Sequence, residues 1–183
     1  MKLFFKITIA ACFTLLSTGV SAQIRYLNYI LKKTDKVWGY TDGDGKVVIP
    51  YQFEYAAEFK HDWALVKKKG KMGFIDKNGR EVIPIKFQNL NEFSEGLAAF
   101  QQKNLWGFID KNGNQIIAPK YEKTGSFRES MASVQLNGKW GFIDKTGQEI
   151  IPFKYEKVNG VSNGFTSAQY NGKWGYIDKN GQN

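Results

Sequence analysis

One pattern recurs along this chain every 34 residues, and this periodicity restricts the fold more than any other feature. The pattern begins with an aromatic-Gly pair, in which Met replaces Trp once. An Asp stands four positions after the first residue of each pair, and a Gly stands seven positions after it. The pairs are Trp38-Gly39, Met72-Gly73, Trp106-Gly107, Trp140-Gly141 and Trp174-Gly175. Such self-similarity predicts a repeat architecture in which each copy packs on its neighbours.

The residues inside each copy distinguish between helices and strands. A period of 34 residues also belongs to the helical tetratricopeptide repeats. Each full copy, however, carries an Asp-x-x-Gly turn and a proline where such helices would run. Gly costs about 1 kcal/mol and Pro about 3 kcal/mol in a helix interior. The chain is therefore predicted to be all-β.

Three strand-like runs make up each unit. Examples are "MASVQL" at 131–136, "KWGFID" at 139–144 and "QEIIP" at 148–152, and their short aromatic and β-branched character is typical of strands. A proline is expected to end the third strand, because it cannot donate to the ladder. Each unit is thus predicted to be a three-stranded antiparallel meander, joined by a linker to the next. Full units start near residues 37, 71, 105 and 139, and a truncated fifth starts at 173.

Turn chemistry connects these strands. Asn137-Gly138 and Asn171-Gly172 predict tight hairpins, because both central residues of such turns need positive φ. Lys69-Gly70, Lys103-Asn104 and Asp35-Lys36 occupy the same place in the other units. The segment "YILKKTDK", residues 29–36, is predicted to be the last strand of an incomplete unit and its turn.

Alternation along "WGFID" places apolar residues on both faces of the strand, so both faces are expected to be covered. The Gly after each Trp predicts close approach of another segment, such as a ring from the neighbouring unit. Stacking is expected to give an open or gently curved array of antiparallel β-meander repeats. A closed propeller-like ring is the alternative.

The first residues have the features of a secretory signal. Two lysines precede an apolar run from Ile7 to Leu16, and small residues end at Ala22. We predict cleavage after Ala22, which gives a signal at 1–22 and a single β domain at 23–183. The apolar run is too short to span a bilayer, and no later run is long enough. Lipidation at Cys12 is the alternative.

Export and composition limit the chemistry of the mature chain. Cleavage removes the one cysteine, so no disulfide, thiolate nucleophile or cysteine metal site is expected. It also removes two of the 26 basic residues and leaves a net charge of +7. The protein is predicted to be periplasmic, extracellular or attached to the cell surface.

The segments "KWGFIDKNG", "EVIPIKF" and "FSEGLAAF" resemble the WG repeat, a bacterial β repeat that is also called KWG. The likeness runs from about Tyr29 to the end of the chain. Met72 and the segment "VSNGFTSA" depart from the family pattern. The resemblance implies a non-catalytic binding or scaffolding module without a cofactor or shared catalytic residues.

The recurring Asp could suggest a metal site, and "DGDG" at 42–45 resembles the start of a calcium loop. The further oxygen ligands and the terminal Glu are missing, and Lys stands in the middle of most copies of the turn. A structural role in the turn is therefore favoured. The sole histidine, His61, stands where other units have Glu or Asn, and no G-x-S-x-G accompanies it. We predict no catalytic, cofactor or metal residues.

The tryptophans and the lysines are the remaining candidates for binding. The tryptophans could stack on sugars, but Met72 in the same column favours a role in the core. The lysines recur in two columns and would form basic ladders in a stacked array. They are Lys77, Lys111, Lys145 and Lys179 in the Asp-x-x-Gly turn, and Lys86, Lys120 and Lys154 after the proline.

The predicted function is binding of a protein or an anionic envelope polymer, with the lysine columns as the candidate polymer site. Nucleic acid is not expected as a partner of an exported protein. A solvated surface on a purely structural spacer or scaffold is the alternative. A small hydrolase with a carboxylate pair is a third possibility, but the repetition of the acidic residues disfavours it.

Overall fold

The computed structural model describes residues 30–33 and 37–182. This part of the chain contains eighteen strands and no helix, and therefore no helix that could cross a membrane. The predicted signal at 1–22 and the alternative lipidation site at Cys12 lie outside the described residues.

The strands form five antiparallel sheets in chain order, β1–β3, β4–β7, β8–β11, β12–β15 and β16–β18. Each sheet is a meander, so the predicted all-β tandem architecture is confirmed. The strands are β1 (Ile30–Lys33), β2 (Trp38–Thr41), β3 (Val47–Phe53), β4 (Tyr55–Ala56), β5 (Trp63–Lys68), β6 (Lys71–Asp76), β7 (Glu81–Phe87), β8 (Asn89–Leu90), β9 (Leu97–Gln102), β10 (Leu105–Asp110), β11 (Gln115–Tyr121), β12 (Lys123–Thr124), β13 (Ala132–Leu136), β14 (Lys139–Ile143), β15 (Glu149–Tyr155), β16 (Lys157–Val158), β17 (Phe165–Tyr170) and β18 (Lys173–Asp178).

The three complete sheets have four strands, so the prediction of three strands per unit was wrong. The linker contributes a two-residue strand to the edge of the following sheet. For example, β7 ends at Phe87 and β8 begins at Asn89. Two residues are too few to produce a recognisable alternation in sequence. The four-stranded sheet therefore becomes visible only in the structure.

The third long strand of each unit continues past its proline, contrary to prediction. In β15, Tyr155 pairs with Trp140 and Ile151 pairs with Phe142. Three residues of β15, beginning with Pro152, thus lie opposite the single residue Gly141 and form a bulge. A proline is tolerated there because a bulge leaves some N–H groups outside the ladder.

This bulge explains the recurring Gly at positions 39, 73, 107 and 141. A Cβ on Gly73 would lie 2.6 Å from the carbonyl oxygen of Ile83 and 2.7 Å from the Cα of Ile85. The same backbone crosses over Gly141, where a Cβ would lie 2.7 Å from the oxygen of Ile151. The predicted close approach is confirmed. The approaching segment is the bulged strand of the same unit and not a ring from a neighbour.

The turns adopt the predicted conformations. Asn137 and Gly138 have φ values of 49° and 74°, as a tight hairpin of this kind requires. The Gly of the Asp-x-x-Gly turn is also left-handed, with φ of 79° at Gly79. The predicted turn at Asp35-Lys36 lies outside the described residues.

The hydrophobic core lies between successive units. Phe108 of β10 shares a cluster with Ile143 of β14, and both side chains are about 1% exposed or less. Phe74 and Ile109 are related in the same way one unit earlier. Both faces of the "WGFI" strand are therefore covered, and each unit buries its apolar faces against its neighbours.

The array is open at the last sheet. Among the described residues, no strand pairs with the outer edge of β18, which has no pairing with β1. Trp174 and Tyr176 on β18 are 52% and 74% exposed, although the equivalent residues of earlier units are half-buried or buried. The described sheets thus form an open array of tandem repeats.

Candidate functional site

The recurring Asp organises its own turn. Oδ1 of Asp144 accepts hydrogen bonds from the backbone N–H of Thr146 at 2.8 Å and of Gln148 at 2.9 Å. The Thr146 hydroxyl also donates to Oδ1 at 2.7 Å, and this bond holds the pKa of Asp144 below its usual range. The same pair of backbone bonds occurs at Asp42, Asp76, Asp110 and Asp178. These contacts support the structural interpretation of the column.

Three of the four predicted turn lysines are already paired with carboxylates. Lys77 lies 3.0 Å from Asp62, while Lys145 pairs with Glu95 at 3.2 Å and Lys179 pairs with Glu129 at 2.9 Å. The fourth, Lys111, makes no ion pair within residues 37–182. The turn column is therefore largely neutralised and does not form the continuous basic ladder that we predicted.

The carboxylates of Glu95 and Glu129 tie one unit to the next. Oε2 of Glu95 accepts the N–H of Ser130 at 2.9 Å, and Oε2 of Glu129 accepts the N–H of Gly164 at 3.0 Å. Donation by the Lys179 ammonium holds the pKa of Glu129 below its usual range. Sequence reasoning saw that these acidic residues recur, but their partners lie in other units and could not be identified.

The second lysine column has a different environment. The ammonium groups of Lys86, Lys120 and Lys154 lie 5.5, 5.2 and 5.3 Å from the centroids of the Phe87, Tyr121 and Tyr155 rings. The lysines are exposed and the rings are buried. Such cation–π contacts contribute about 0.5–1 kcal/mol at exposed sites. Within the described residues these three lysines have no ion pair. We call them the bulge lysines, because each lies in the bulged part of its strand.

The two columns lie at opposite ends of the sheets. Lys77 follows the last residue of β6. Lys86 precedes Phe87, which pairs with Met72 near the start of β6. The same relation recurs in the next two units. The seven predicted lysines are therefore not brought together into one site.

The tryptophans mostly have the predicted role in the core. Trp38, Trp106 and Trp140 are half-buried and pack against core clusters, as does Met72 in the same column. Trp174 on the open edge is exposed.

A cleft of about 550 Å³ lies where two units meet, next to the only histidine. Its lining includes His61, Trp63, Gly96 and Lys111. Trp63 is half-buried and contacts Phe93 edge-on, with ring centroids 5.8 Å apart. The sequence contained one signal of this cleft, because His61 interrupts a column that has Glu in the next two units.

The WG-containing repeat pattern matches the chain four times in tandem, at residues 38–71, 72–106, 106–140 and 140–174. These matches cover most of the chain. The protein belongs to the WG-containing repeat family. The match confirms the resemblance that the repeated motifs suggested. No curated protein matches the sequence.

Solved structures with the same fold are distant in sequence from this WG-repeat chain. Hsv2 from Kluyveromyces lactis, with its loop 6CD replaced by a Gly-Ser linker, superposes with a TM-score of 0.54 at 9% identity and 85% coverage of this chain. Another Kluyveromyces lactis Hsv2 structure gives 0.52 at 12% identity and 84% coverage. A eukaryotic initiation factor gives 0.54 at 13% identity and 85% coverage.

The WG-repeat chain spans 60%, 59% and 51% of these three proteins. At such low identity the likeness concerns the fold alone. The tandem sheets are similar to β-propeller-like structures, in which each blade is a four-stranded sheet.

Proposed function

We propose that this WG-repeat protein is an exported, non-catalytic binding module that holds an anionic polymer of the cell envelope. The observation that carries the proposal is the row of bulge lysines, Lys86, Lys120 and Lys154. The same cation recurs over the same ring in three successive units. A repeated surface of this kind matches a ligand that itself repeats, such as an acidic polysaccharide.

The contrast between the two lysine columns supports this location. The turn lysines Lys77, Lys145 and Lys179 are paired with carboxylates, and this pairing reduces the net positive charge that they present to an external anion. The bulge lysines have no such partner in the described residues. The carboxylates of Glu122 and Glu156, next in sequence to two of the buried rings, accept hairpin N–H groups instead.

Two features support a role without catalysis. The recurring Asp and Glu carboxylates accept backbone hydrogen bonds that hold turns or join units. In the cleft, the His61 side chain makes no hydrogen bond to another residue within 37–182. Export rests on the predicted signal at 1–22, and a cell-envelope polymer is the class of anion that an exported basic protein would meet.

Co-sedimentation of residues 23–183 with purified anionic envelope polymers tests the proposal. We expect retention of the wild type at low salt and loss of most retention when all three bulge lysines are changed to Gln. The matched control changes Lys77, Lys145 and Lys179 to Gln, which removes the same charge from the opposite end of the sheets. Retention that falls equally in both triple variants would contradict a role specific to the bulge lysines.

The absence of retention for the wild type at any salt concentration would remove the polymer proposal. A protein partner or a spacer role would then be the functions to pursue. Far-ultraviolet circular dichroism and thermal melting of each variant separate a loss of binding from a loss of folding.

A further inference from the structure

One column of the repeat has His in its first copy, Glu in the next two and Asn in the fourth. His61, Glu95 and Glu129 occupy equivalent positions and share a left-handed backbone, with φ of 57°, 50° and 50°. Each stands in a tight turn closed by an isolated bridge. Their backbone geometry is the same, so their side chains start from equivalent places and the chemical difference between His and Glu can be compared directly.

The two glutamates show which groups a carboxylate meets at this place. Each accepts a backbone N–H from the turn of the following unit, and each pairs with the lysine of an Asp-x-x-Gly turn. The groups equivalent to the partners of Glu95 lie 34 residues earlier in the chain. They are the N–H of Gly96 and the ammonium of Lys111, and they belong beside His61. His61 does not accept the Gly96 N–H.

These two donors line the cleft beside His61. Within residues 37–182, the Gly96 N–H donates to no protein acceptor and Lys111 has no carboxylate partner. Each acidic side chain of the cleft already has a lysine partner. Asp62 pairs with Lys77, Glu92 with Lys60 at 3.7 Å, and Glu95 with Lys145. The cleft therefore has the N–H and ammonium donors that hold Glu95 and Glu129 in the later units. It has His61 where those units have the carboxylate.

An aromatic wall adjoins these donors. Trp63 lines the cleft and is half-buried, whereas the equivalent positions have Leu97, Met131 and Phe165. An indole presents a broad apolar face on which a flat ring can pack. The cleft thus combines a carboxylate position with an indole face, a combination that no other described unit has.

We propose that the cleft binds a carboxylate carried on a ring with an apolar face. The carboxylate accepts the Gly96 N–H and pairs with Lys111, as Glu95 and Glu129 do with their own partners, and the ring packs on Trp63. A uronic acid residue and an aromatic acid share this chemistry. The site is independent of the bulge lysines, so either proposal can fail without the other.

Titration of the ¹⁵N-labelled protein, residues 23–183, tests this site with five probes at equal ionic strength, namely acetate, benzoate, galacturonate, methyl phosphate and neutral galactose. We expect the Gly96 amide to shift saturably with the three carboxylates and not with galactose. Benzoate or galacturonate should bind more tightly than acetate, and the stronger of the two identifies the class of ring. An unchanged Gly96 amide would overturn the proposal, and so would an equal saturable response to methyl phosphate.

Two variants give the control. His61→Glu supplies the carboxylate from the chain itself, as in the next two units, and should abolish the response to all probes. Lys111→Gln should weaken carboxylate binding by about tenfold or more, because a charge-assisted hydrogen bond is lost. Lys157→Gln removes the same charge from an exposed side chain of the last sheet, outside both proposed sites, and should leave the dissociation constant unchanged. Wild-type affinity in His61→Glu would contradict the assignment.

Discussion

Glu129 and Lys179 belong to different units of the repeat, and their side chains meet at 2.9 Å. The same carboxylate accepts the N–H of Gly164 from the following turn. This clamp recurs one unit earlier at Glu95 and Lys145. Because each clamp spans a boundary between units, the stability of the array depends in part on the ionisation of these carboxylates.

The first prediction concerns acid. The pKa of Glu129 is lowered in the folded state, chiefly by donation from Lys179. A carboxylate with a lowered folded pKa stabilises the protein above its unfolded pKa, about 4.3, and this contribution is lost as the pH falls through the folded pKa. We expect the melting temperature of the wild type to decrease as the pH is lowered below about 4.5. Glu129→Gln should lower the melting temperature near neutral pH and make it depend less steeply on pH in this acid range, the acid limb of the curve.

Thermal melts between pH 3 and 7 measure this effect. Glu58→Gln is the control, because Glu58 is exposed and makes no hydrogen bond or ion pair within the described residues. An acid limb of the same slope in Glu129→Gln and the wild type would show that the clamp does not contribute.

The second prediction concerns the Gly of the Trp-Gly pair. In Gly73→Ala the new Cβ would lie 2.6 Å from the Ile83 carbonyl oxygen, so the bulged strand must shift. We expect a loss of about 1–3 kcal/mol in the free energy of unfolding, measured by urea denaturation.

Gly175→Ala is the matched control within the same repeat. A Cβ on Gly175 meets no atom within 4 Å, so this variant should be neutral or slightly stabilising. Equal effects of the two substitutions would contradict the conclusion that the bulge is what selects Gly.

The third prediction concerns a buried hydroxyl. Thr41 is 1% exposed, and its Oγ1 has no hydrogen-bond partner among the described residues. The later units have Ile at this position. Thr41→Val removes the hydroxyl at nearly constant volume and should raise the free energy of unfolding by about 1 kcal/mol.

Thr166 provides the opposite case. It is 3% exposed and its hydroxyl donates to the carbonyl of Asn159 at 2.8 Å. Thr166→Val should therefore lower the free energy of unfolding by about 1 kcal/mol. Destabilisation by both substitutions, measured by urea denaturation, would show that the Thr41 hydroxyl is satisfied.

Much of the fold follows from local chemistry that a sequence displays. The Asn-Gly hairpins and the Asp-x-x-Gly turns depend on residues close together in the chain, and both were predicted correctly. The extent of the third strand was not, because a bulge is tolerant of Pro152 where a regular ladder is not. The short edge strands were missed because two residues carry no periodicity.

The candidate site was less predictable for a different reason. Lys77 and Lys86 both recur at fixed intervals, and the interval does not reveal what each amine contacts. Lys145 and Lys179 meet carboxylates from the preceding unit, Lys77 meets Asp62 of its own sheet, and the bulge lysines lie over neighbouring rings. Only the interruption at His61 was visible as a sequence signal, and its meaning required the position of Gly96 in space.

The fourth prediction concerns the proposed function, and its measurement tests the central claim most directly. It is the salt dependence of polymer retention by the wild type and by the triple variant of Lys86, Lys120 and Lys154. If the bulge lysines hold an anionic polymer, wild-type retention falls steeply as salt rises. Salt cations compete with the ammonium groups for the polymer, and salt also screens the attraction between the opposite charges. The triple variant then retains little polymer at any salt concentration. Wild-type retention that persists at high salt, or a triple variant with an unchanged salt profile, would contradict the proposed site.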